Sequence, residues 1–253
     1  MPLLNLAFNN RGFFWDGRVN TLEEQALLPV EDEIELHDTW ENVICKLTNH
    51  PDYPSFFRQA FGIQDKSEIT KELAAKALAQ FQRSIISGNS RYDRFMRGEI
   101  IFSDAELNGH DMYFDIAFDK VRFPDAECAH CHGNVLLTFN EFRNNGIDQA
   151  ATLADFPDNG LGDITGIPAD NGRFRVPTLR NIELTAPYMH DGRFETLEEV
   201  IDHYNSGGLS SPNKDPLIYP LGLDSIQKAE LLAFLKTLTD NSVANNPDYQ
   251  SPF

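Results

Sequence analysis

The sequence predicts an all-α protein built from two related domains, of which the first is incomplete. Apolar residues recur at three- and four-residue spacing in a long segment of each half of the chain, and no segment shows the strict alternation of a β-strand. In addition, "FFWDGRVNTLEEQ" at 13–25 returns as "YMHDGRFETLEEV" at 188–200. This repeat favours two domains of one kind, which we place at residues 1–100 and 101–253.

Composition narrows the classes of partner. No apolar run approaches the ~18 residues of a membrane-spanning helix, so no membrane span is expected. The formal charge of −18 at pH 7 argues against nucleic acid or an anionic membrane surface as a partner. Composition leaves three classes of partner: a basic protein, a cation or a small neutral substrate. The N-terminal "MPLLNLAFNNRGFFW" lacks the features of a secretory signal, which by itself predicts a cytoplasmic protein.

Helix signals appear throughout the first half. The segment "KSEITKELAAKALAQFQRSII" predicts a helix that ends at Gly88. Its expected apolar face consists of Ile69, Leu73, Ala77, Leu78, Phe81 and Ile85. Both copies of the repeat contain Thr-Leu-Glu-Glu, a capping box in which Thr21 pairs with Glu24 and Thr196 with Glu199. The Asp-Gly-Arg turn of each copy therefore leads into a helix.

The motif "CAHCH", from Cys128 to His132, has the spacing of covalent haem attachment. Each thiol adds across one vinyl group of the haem, and the adjacent imidazole of His132 reaches the iron. Three alternatives stay open: a redox dithiol, half of a zinc site, or a chance match. The dithiol would sit in a βαβ unit, which the sequence lacks, and Cys45 alone cannot complete a zinc site. We therefore favour haem c. Bacteria attach haem c outside the cytoplasm, which conflicts with the cytoplasmic location that the N-terminal sequence by itself predicts.

Two predicted helices bracket this motif. A capping box from Ser103 to Glu106 opens the first, and Asp224 or Ser225 starts the second. The second has an expected apolar stripe of Ile226, Leu231, Leu232, Leu235 and Leu238. Polar Gly/Asn/Asp-rich loops separate the two helices. Helices that cross at a glycine–aromatic contact around a haem resemble the terminal helices of cytochrome c, so both domains are expected to be cytochrome c-like, with long irregular loops around the haem.

The repeat predicts that a segment is missing. "PLLN" at Pro2 is echoed by "PTLRN" at Pro177, and the haem motif lies further before Pro177 than the chain extends before Pro2. The first copy's own haem motif would therefore lie upstream of Met1. We expect the longer protein to carry there a second C-x-x-C-H and a signal peptide, which would make it periplasmic.

The chain resembles the bacterial diheme cytochrome c peroxidases and their relative MauG, the methylamine-utilisation enzyme. The resemblance rests on "FFWDGR", "LEEQALLPVEDEIEL", "SGNSRYDRF", "CAHCHG" and "FRVPTLRNIELTAPYMHDGR". It implies that an N-terminal haem reacts with hydrogen peroxide and a C-terminal haem passes electrons to it. It also implies that Trp15 lies between the haems as a relay, and that Gln25 and Glu35 form the polar pair above the peroxidatic iron. Without it, the acidic "VEDEIEL" would be interpreted as a solvated face. Leu36 replaces the family's usual Met, a change that we expect to affect packing alone.

The sixth ligand of the iron is predicted differently by the residues and by the resemblance. His/Met ligation is the usual cytochrome c arrangement, which indicates Met189. Family alignment instead implies a position on the following helix that is Met in ordinary peroxidases and Tyr in MauG, here Tyr204. We favour Tyr204 and expect His190 to be structural or to support a ligand, His203 to lie at the surface and Met112 in the core. The resemblance also implies a calcium ion bound by backbone oxygens of Thr185 and Pro187.

Three functions stand as hypotheses. The first is a diheme peroxidase that reduces hydrogen peroxide with electrons from a small cytochrome or copper protein. The second is a MauG-like oxidation of a partner protein, which Tyr204 favours because an anionic oxygen ligand stabilises ferric iron. The third is a mono-haem electron carrier, if Met1 is the natural start, although such a carrier has no use for Trp15, Gln25 and Glu35.

Overall fold

The computed structural model describes residues 1–251, which are mostly helical, as the all-α prediction requires. Ten α-helices occur in these residues: α1 Leu22–Glu31, α2 Trp40–Asn49, α3 Tyr53–Phe61, α4 Lys71–Ser84, α5 Arg91–Met96, α6 Asp104–Tyr113, α7 Leu161–Thr165, α8 Leu197–Ser206, α9 Ser225–Lys236 and α10 Asn241–Ala244. Two short strands, β1 Phe142–Arg143 and β2 Phe174–Arg175, pair antiparallel. No helix among the described residues is long and apolar enough to cross a membrane.

The chain divides into two compact units. The haem-motif unit comprises residues 1–5, 15–17 and the chain from Ile85 onward. The N-terminal helical unit comprises residues 6–14 and 18–84. The predicted division into residues 1–100 and 101–253 stays a prediction, as does the cytochrome c-like character of each part.

The core of the haem-motif unit forms where α6 crosses α9. Gly109 of α6 faces the backbone of α9, and a Cβ atom at this position would lie 2.0 Å from the carbonyl oxygen of Glu230 and 2.9 Å from Phe234 Cβ. Phe234 and Tyr113 are completely buried at this crossing. The predicted glycine–aromatic contact is therefore confirmed.

The α9 stripe is only partly as predicted. Leu231, Leu235 and Leu238 are buried, whereas Ile226 is 68% exposed because it lies in the first turn, beyond the crossing with α6. Phe234, which the predicted stripe omitted, fills the crossing and is fully buried. The period of the pattern identified the helix, but the crossing point determined which of its residues are covered.

The predicted apolar face of α4 is only partly right. Ile69, just before the helix, is buried and Leu73 packs against the hydrophobic core. The residues that α4 buries are Ala74, Ala75, Ala79 and Gln82. Leu78 and Phe81 are 46% and 43% exposed within the described structure. The short alanine side chains let α4 lie close to α1, so the bulkier side chains are rotated away from that contact. The hydrophobic core of the N-terminal helical unit lies around Trp40 and Phe57.

The two copies of the repeat adopt the same local structure. Each Asp-Gly-Arg turn is closed by a single β-bridge, Phe13 with Val19 and Tyr188 with Phe194. The glycine of each turn has a positive φ, 77° in one copy and 74° in the other. Complete capping boxes then open α1 and α8. The prediction that each turn leads into a helix is confirmed.

We expect Gly109→Ala to lower the free energy of unfolding by about 1–3 kcal/mol, the usual cost of overpacking a core. The reason is the 2.0 Å approach of the added methyl to a backbone oxygen, which cannot rotate away as a side chain can. The measurement is urea unfolding of the haem-loaded chain. Gly88→Ala is the matched control, because its Cβ would meet no atom within 4 Å. Equal losses in the two variants would contradict the prediction.

Candidate haem site

The haem-motif unit contains a largely apolar cavity of about 590 Å³. This volume lies within the roughly 300–1,000 Å³ of small-molecule and cofactor sites. Its walls come from the haem motif, the segment from Phe174 to His190, and helices α8 and α9. Trp15, although distant in sequence, also lines it. The cavity is thus assembled from the first fifteen residues and from segments between Tyr113 and Leu235.

Cys128 and Cys131 both line the cavity. Burial raises the pKa of the Cys128 thiol to about 12, and the nearby Asp115 carboxylate adds to the shift. Burial also raises the pKa of Cys131. A redox-active dithiol requires the opposite, a lowered pKa, so this environment goes against the dithiol alternative.

A zinc site at the thiols is also disfavoured. Within residues 1–251, one group of three potential metal ligands has its ligand atoms within 4.8 Å of one another, namely Asp115, Glu127 and His130. Neither thiol belongs to this group. Structural zinc needs four ligands around the ion.

His132 is held in the state that an iron ligand needs. Its Nδ1 lies 3.0 Å from the carbonyl oxygen of Pro177, an atom that can only accept, so Nδ1 carries the proton and Nε2 carries the lone pair that can bind a metal. Burial lowers the pKa of His132 to about 4, which keeps the ring neutral. The backbone of His132 is fixed as well, because the buried Tyr113 hydroxyl donates to its carbonyl oxygen at 2.6 Å. Two thiols and a neutral imidazole on one apolar cavity fit haem c.

Both candidates for the sixth ligand lie on the cavity wall. Asn145 Nδ2 is 3.3 Å from Met189 Sδ and 3.3 Å from Tyr204 Oη. Burial raises the pKa of Tyr204 to about 12, although the hydrogen bond from Asn145 lowers it. The structure therefore brings the two alternatives together around one amide, and the choice between them stays a prediction.

The two histidines near these residues differ from each other in their surroundings. His190 lines the cavity, and its ring stacks on Phe174 with 3.6 Å between ring centroids. His203 was expected at the surface, but it is half-buried and its Nε2 donates to the backbone oxygen of Asn145 at 3.0 Å. That expectation is wrong because α8 turns His203 toward the loop after β1. Met112 is fully buried, as expected of a core residue.

Trp15 and the predicted calcium residues also border this cavity. The backbone oxygen of Trp15 accepts a 2.8 Å hydrogen bond from the backbone N–H of Arg175 in β2. Thr185 and Pro187 lie on the wall just before Tyr188. The Thr185 hydroxyl donates to the Ile182 carbonyl oxygen at 3.2 Å. The relay and calcium roles stay predictions.

Gln25 and Glu35 belong to the N-terminal helical unit. Gln25 lies on α1, half-buried, and its Oε1 accepts a 2.9 Å hydrogen bond from Gln82 Nε2 of α4. Glu35 is exposed in the turn after α1, where its backbone N–H donates to the Asp32 carbonyl oxygen at 3.2 Å. Gln82 was missed by sequence analysis, because its position inside a predicted helix gives no signal that it contacts a residue on another helix.

Asn145 and Arg175 were missed as well. The Arg175 side chain is buried on the cavity wall and donates to the Asn140 amide oxygen at 3.0 Å. Burial lowers the pKa of its guanidinium to about 10. Both residues are placed by the short β1–β2 pairing, whose strands of two residues each are too short to show a periodic pattern.

Comparisons with known proteins agree with this architecture. The family described as di-haem cytochrome c peroxidase matches residues 1–100. MauG of Paracoccus denitrificans, a methylamine utilization protein, is 32% identical over 274 residues, which cover 90% of this chain and 68% of that protein. The chain belongs to the di-haem cytochrome c peroxidase and MauG family.

Other relatives support the same assignment. MauG of Methylorubrum extorquens is 33% identical over 94% of this chain, and the cytochrome c551 peroxidase of Nitrosomonas europaea is 31% identical over 96%. The chain spans 63% and 65% of the lengths of these two proteins. A crystal structure of a MauG-like protein associated with microbial copper homeostasis is 37% identical, with a TM-score of 0.83, and covers 96% of this chain and 76% of that one.

We expect one covalent haem c per chain when the protein is produced in a cytochrome c maturation strain, measured as the pyridine haemochrome. Replacing both Cys128 and Cys131 by Ala should remove it, because these thiols are the attachment points on the cavity. Cys45→Ala is the matched control, since Cys45 is exposed in the other unit. Haem that extracts into acidified organic solvent from the unsubstituted chain would contradict covalent attachment.

Proposed function

We propose that the chain is the haem c-bearing electron-transfer part of a di-haem peroxidase. The full reaction reduces hydrogen peroxide to two waters with two electrons and two protons. The observation that carries the proposal is the presence of Cys128, Cys131 and a neutral His132 on one largely apolar cavity. A haem that transfers electrons needs such a setting. A rigid site that holds little water rearranges only slightly when the haem gains or loses an electron.

In this proposal, each residue at the site has its own role. The two thiols hold the haem, which supplies the one-electron redox chemistry. His132 is oriented by the Pro177 carbonyl oxygen, so that its Nε2 is available as the proximal ligand. Leu231, Leu235 and Ile201 contribute the apolar wall that excludes water. Trp15, whose backbone is bonded to β2, is the residue proposed to pass electrons onward.

The remaining roles belong to the longer protein. In this proposal a second haem reacts with peroxide, and Gln25 and Glu35 move protons during cleavage of the O–O bond. The location is periplasmic, where haem c is attached, and a calcium ion is held by backbone oxygens of Thr185 and Pro187. The electron donor is a small cytochrome or copper protein with a basic surface, since the chain carries a formal charge of −18.

A MauG-like oxidation of a partner protein is the second candidate. It is favoured by Tyr204, whose phenol lies on the haem cavity beside Met189. An oxygen ligand stabilises ferric iron, which makes the haem a poorer acceptor of electrons from ordinary donors and better suited to oxidising a partner. The identity of the distal ligand therefore separates the two candidates.

For the peroxidase proposal we expect a reduced basic cytochrome c to reduce the ferric haem of this chain. The rate should fall about tenfold as ionic strength rises from about 0.01 M to about 0.1 M, because the attraction between opposite charges is screened. Stopped-flow absorbance measures the rate at which the ferric haem is reduced. An acidic cytochrome is the control and should react slowly at low salt. Absence of electron transfer from either cytochrome would contradict the proposal.

For the distal ligand we expect Tyr204→Phe to change the ferric absorption spectrum far more than Met189→Leu. The unsubstituted chain should also lack the charge-transfer band of a methionine-ligated ferric haem. Tyr204→Phe removes only the hydroxyl oxygen, and Met189→Leu keeps the approximate size of the side chain. The spectral changes therefore report on the iron ligand rather than on packing. The opposite ranking would support ordinary His/Met ligation and the peroxidase over the MauG-like candidate.

A further inference from the structure

Asn145 is placed between the two candidate distal ligands. Its Nδ2 lies 3.3 Å from both Met189 Sδ and Tyr204 Oη, and all three residues line the haem cavity. A thioether sulfur can only accept a hydrogen bond, so the atom that faces it must be the NH₂ group rather than the amide oxygen. The side chain of Asn145 is therefore a donor to both residues.

The backbone around Asn145 is held from several sides. Its carbonyl oxygen accepts the His203 Nε2 hydrogen bond at 3.0 Å. The neighbouring Asn144 accepts from the Gly146 N–H at 2.9 Å and donates to Asn213 Oδ1 at 2.8 Å. This loop follows directly after β1, so the strand pairing fixes where it starts. Asn145 thus presents its amide from a fixed support rather than from a mobile loop.

We propose that Asn145 is a positioning residue that biases the distal position of the haem toward the oxygen of Tyr204 and away from the sulfur of Met189. This inference rests on the proposed haem site and on Tyr204 as the distal candidate. It adds a residue that acts through the ligand rather than as a ligand.

The bias follows from how each hydrogen bond responds to ligation. When the phenol oxygen serves as a ligand it carries negative charge, and a hydrogen bond to a charged acceptor is about twice as strong as a neutral one. When the thioether sulfur serves as a ligand it donates electron density to the metal, so it becomes a poorer acceptor for the same N–H. The amide is therefore bound more strongly in the oxygen-ligated state, and a contact that differs between two states shifts their ratio.

The test uses the haem-loaded chain with Asn145→Leu, which keeps the approximate size and removes the donor. The measurement is the ferric absorption and electron paramagnetic resonance spectrum, which distinguishes oxygen from sulfur ligation. We expect the oxygen-to-sulfur ratio to fall about tenfold, the effect of losing one charge-assisted hydrogen bond. The methionine charge-transfer band should appear, and it should disappear again in Asn145→Leu combined with Met189→Leu. Asn145→Ala, which removes the donor without adding bulk or charge, replaces the Leu variant if that does not fold, with the same expected direction.

Gln149→Leu is the matched control, because it replaces an amide by leucine in the same loop at an exposed position outside the cavity lining. A spectrum of Asn145→Leu equal to that of the unsubstituted chain, with Tyr204→Phe still changing it, would overturn the inference alone. The same shift in Gln149→Leu would also overturn it, since a general change of the loop would then be responsible. If Tyr204→Phe is silent, the inference and the MauG-like candidate fall together. Covalent haem and the peroxidase proposal would still stand in that case.

Discussion

The close approach of α6 and α9 at Gly109 is the constraint on which the haem-motif unit depends. Because no side chain separates the helices there, Phe234 and Tyr113 are buried together at the crossing. Tyr113 then extends from the core to the haem motif, where its hydroxyl holds the backbone of His132. A single missing Cβ atom is in this way connected, through packing and one hydrogen bond, to the position of His132.

Three titratable groups around the haem cavity are held neutral, whereas the chain as a whole is strongly charged. In the cavity, burial keeps Cys128, His132 and Tyr204 in their neutral forms, because a charge without water is costly there. The chain as a whole has a formal charge of −18. Few of the charged side chains in the described residues are buried, among them Arg175, Arg180, Asp215 and Asp240. The cavity wall is largely apolar but includes the charged side chains of Arg143, Arg175 and Asp215.

The internal repeat shows how one local structure can serve different sites. Both copies form the same bridged turn and the same capping box, since these depend on neighbouring residues alone. The residue directly before Asp-Gly-Arg differs, Trp15 in one copy and His190 in the other, and both line the haem cavity. Local conformation is therefore repeated, whereas chemistry is set by the side chains that this conformation carries.

The sequence by itself determined the features that depend on short-range spacing. The haem motif, the capping boxes at Thr21 and Thr196, and the helix starts near Ser103 and Ser225 could all be predicted, because each is a relation between residues a few positions apart. The glycine–aromatic crossing was predicted through the likeness of its two helices to the terminal helices of cytochrome c. The family could also be identified, because several such motifs occur together in one order.

Tertiary structure decided which faces are covered and which distant residues meet. The alanines of α4, rather than Leu78 and Phe81, face α1, because close packing of two helices favours small side chains over the most apolar stripe. Asn145 meets Met189 and Tyr204 only because a two-residue strand and α8 converge on one cavity. Such contacts join residues more than forty positions apart, and no periodicity or local motif records them.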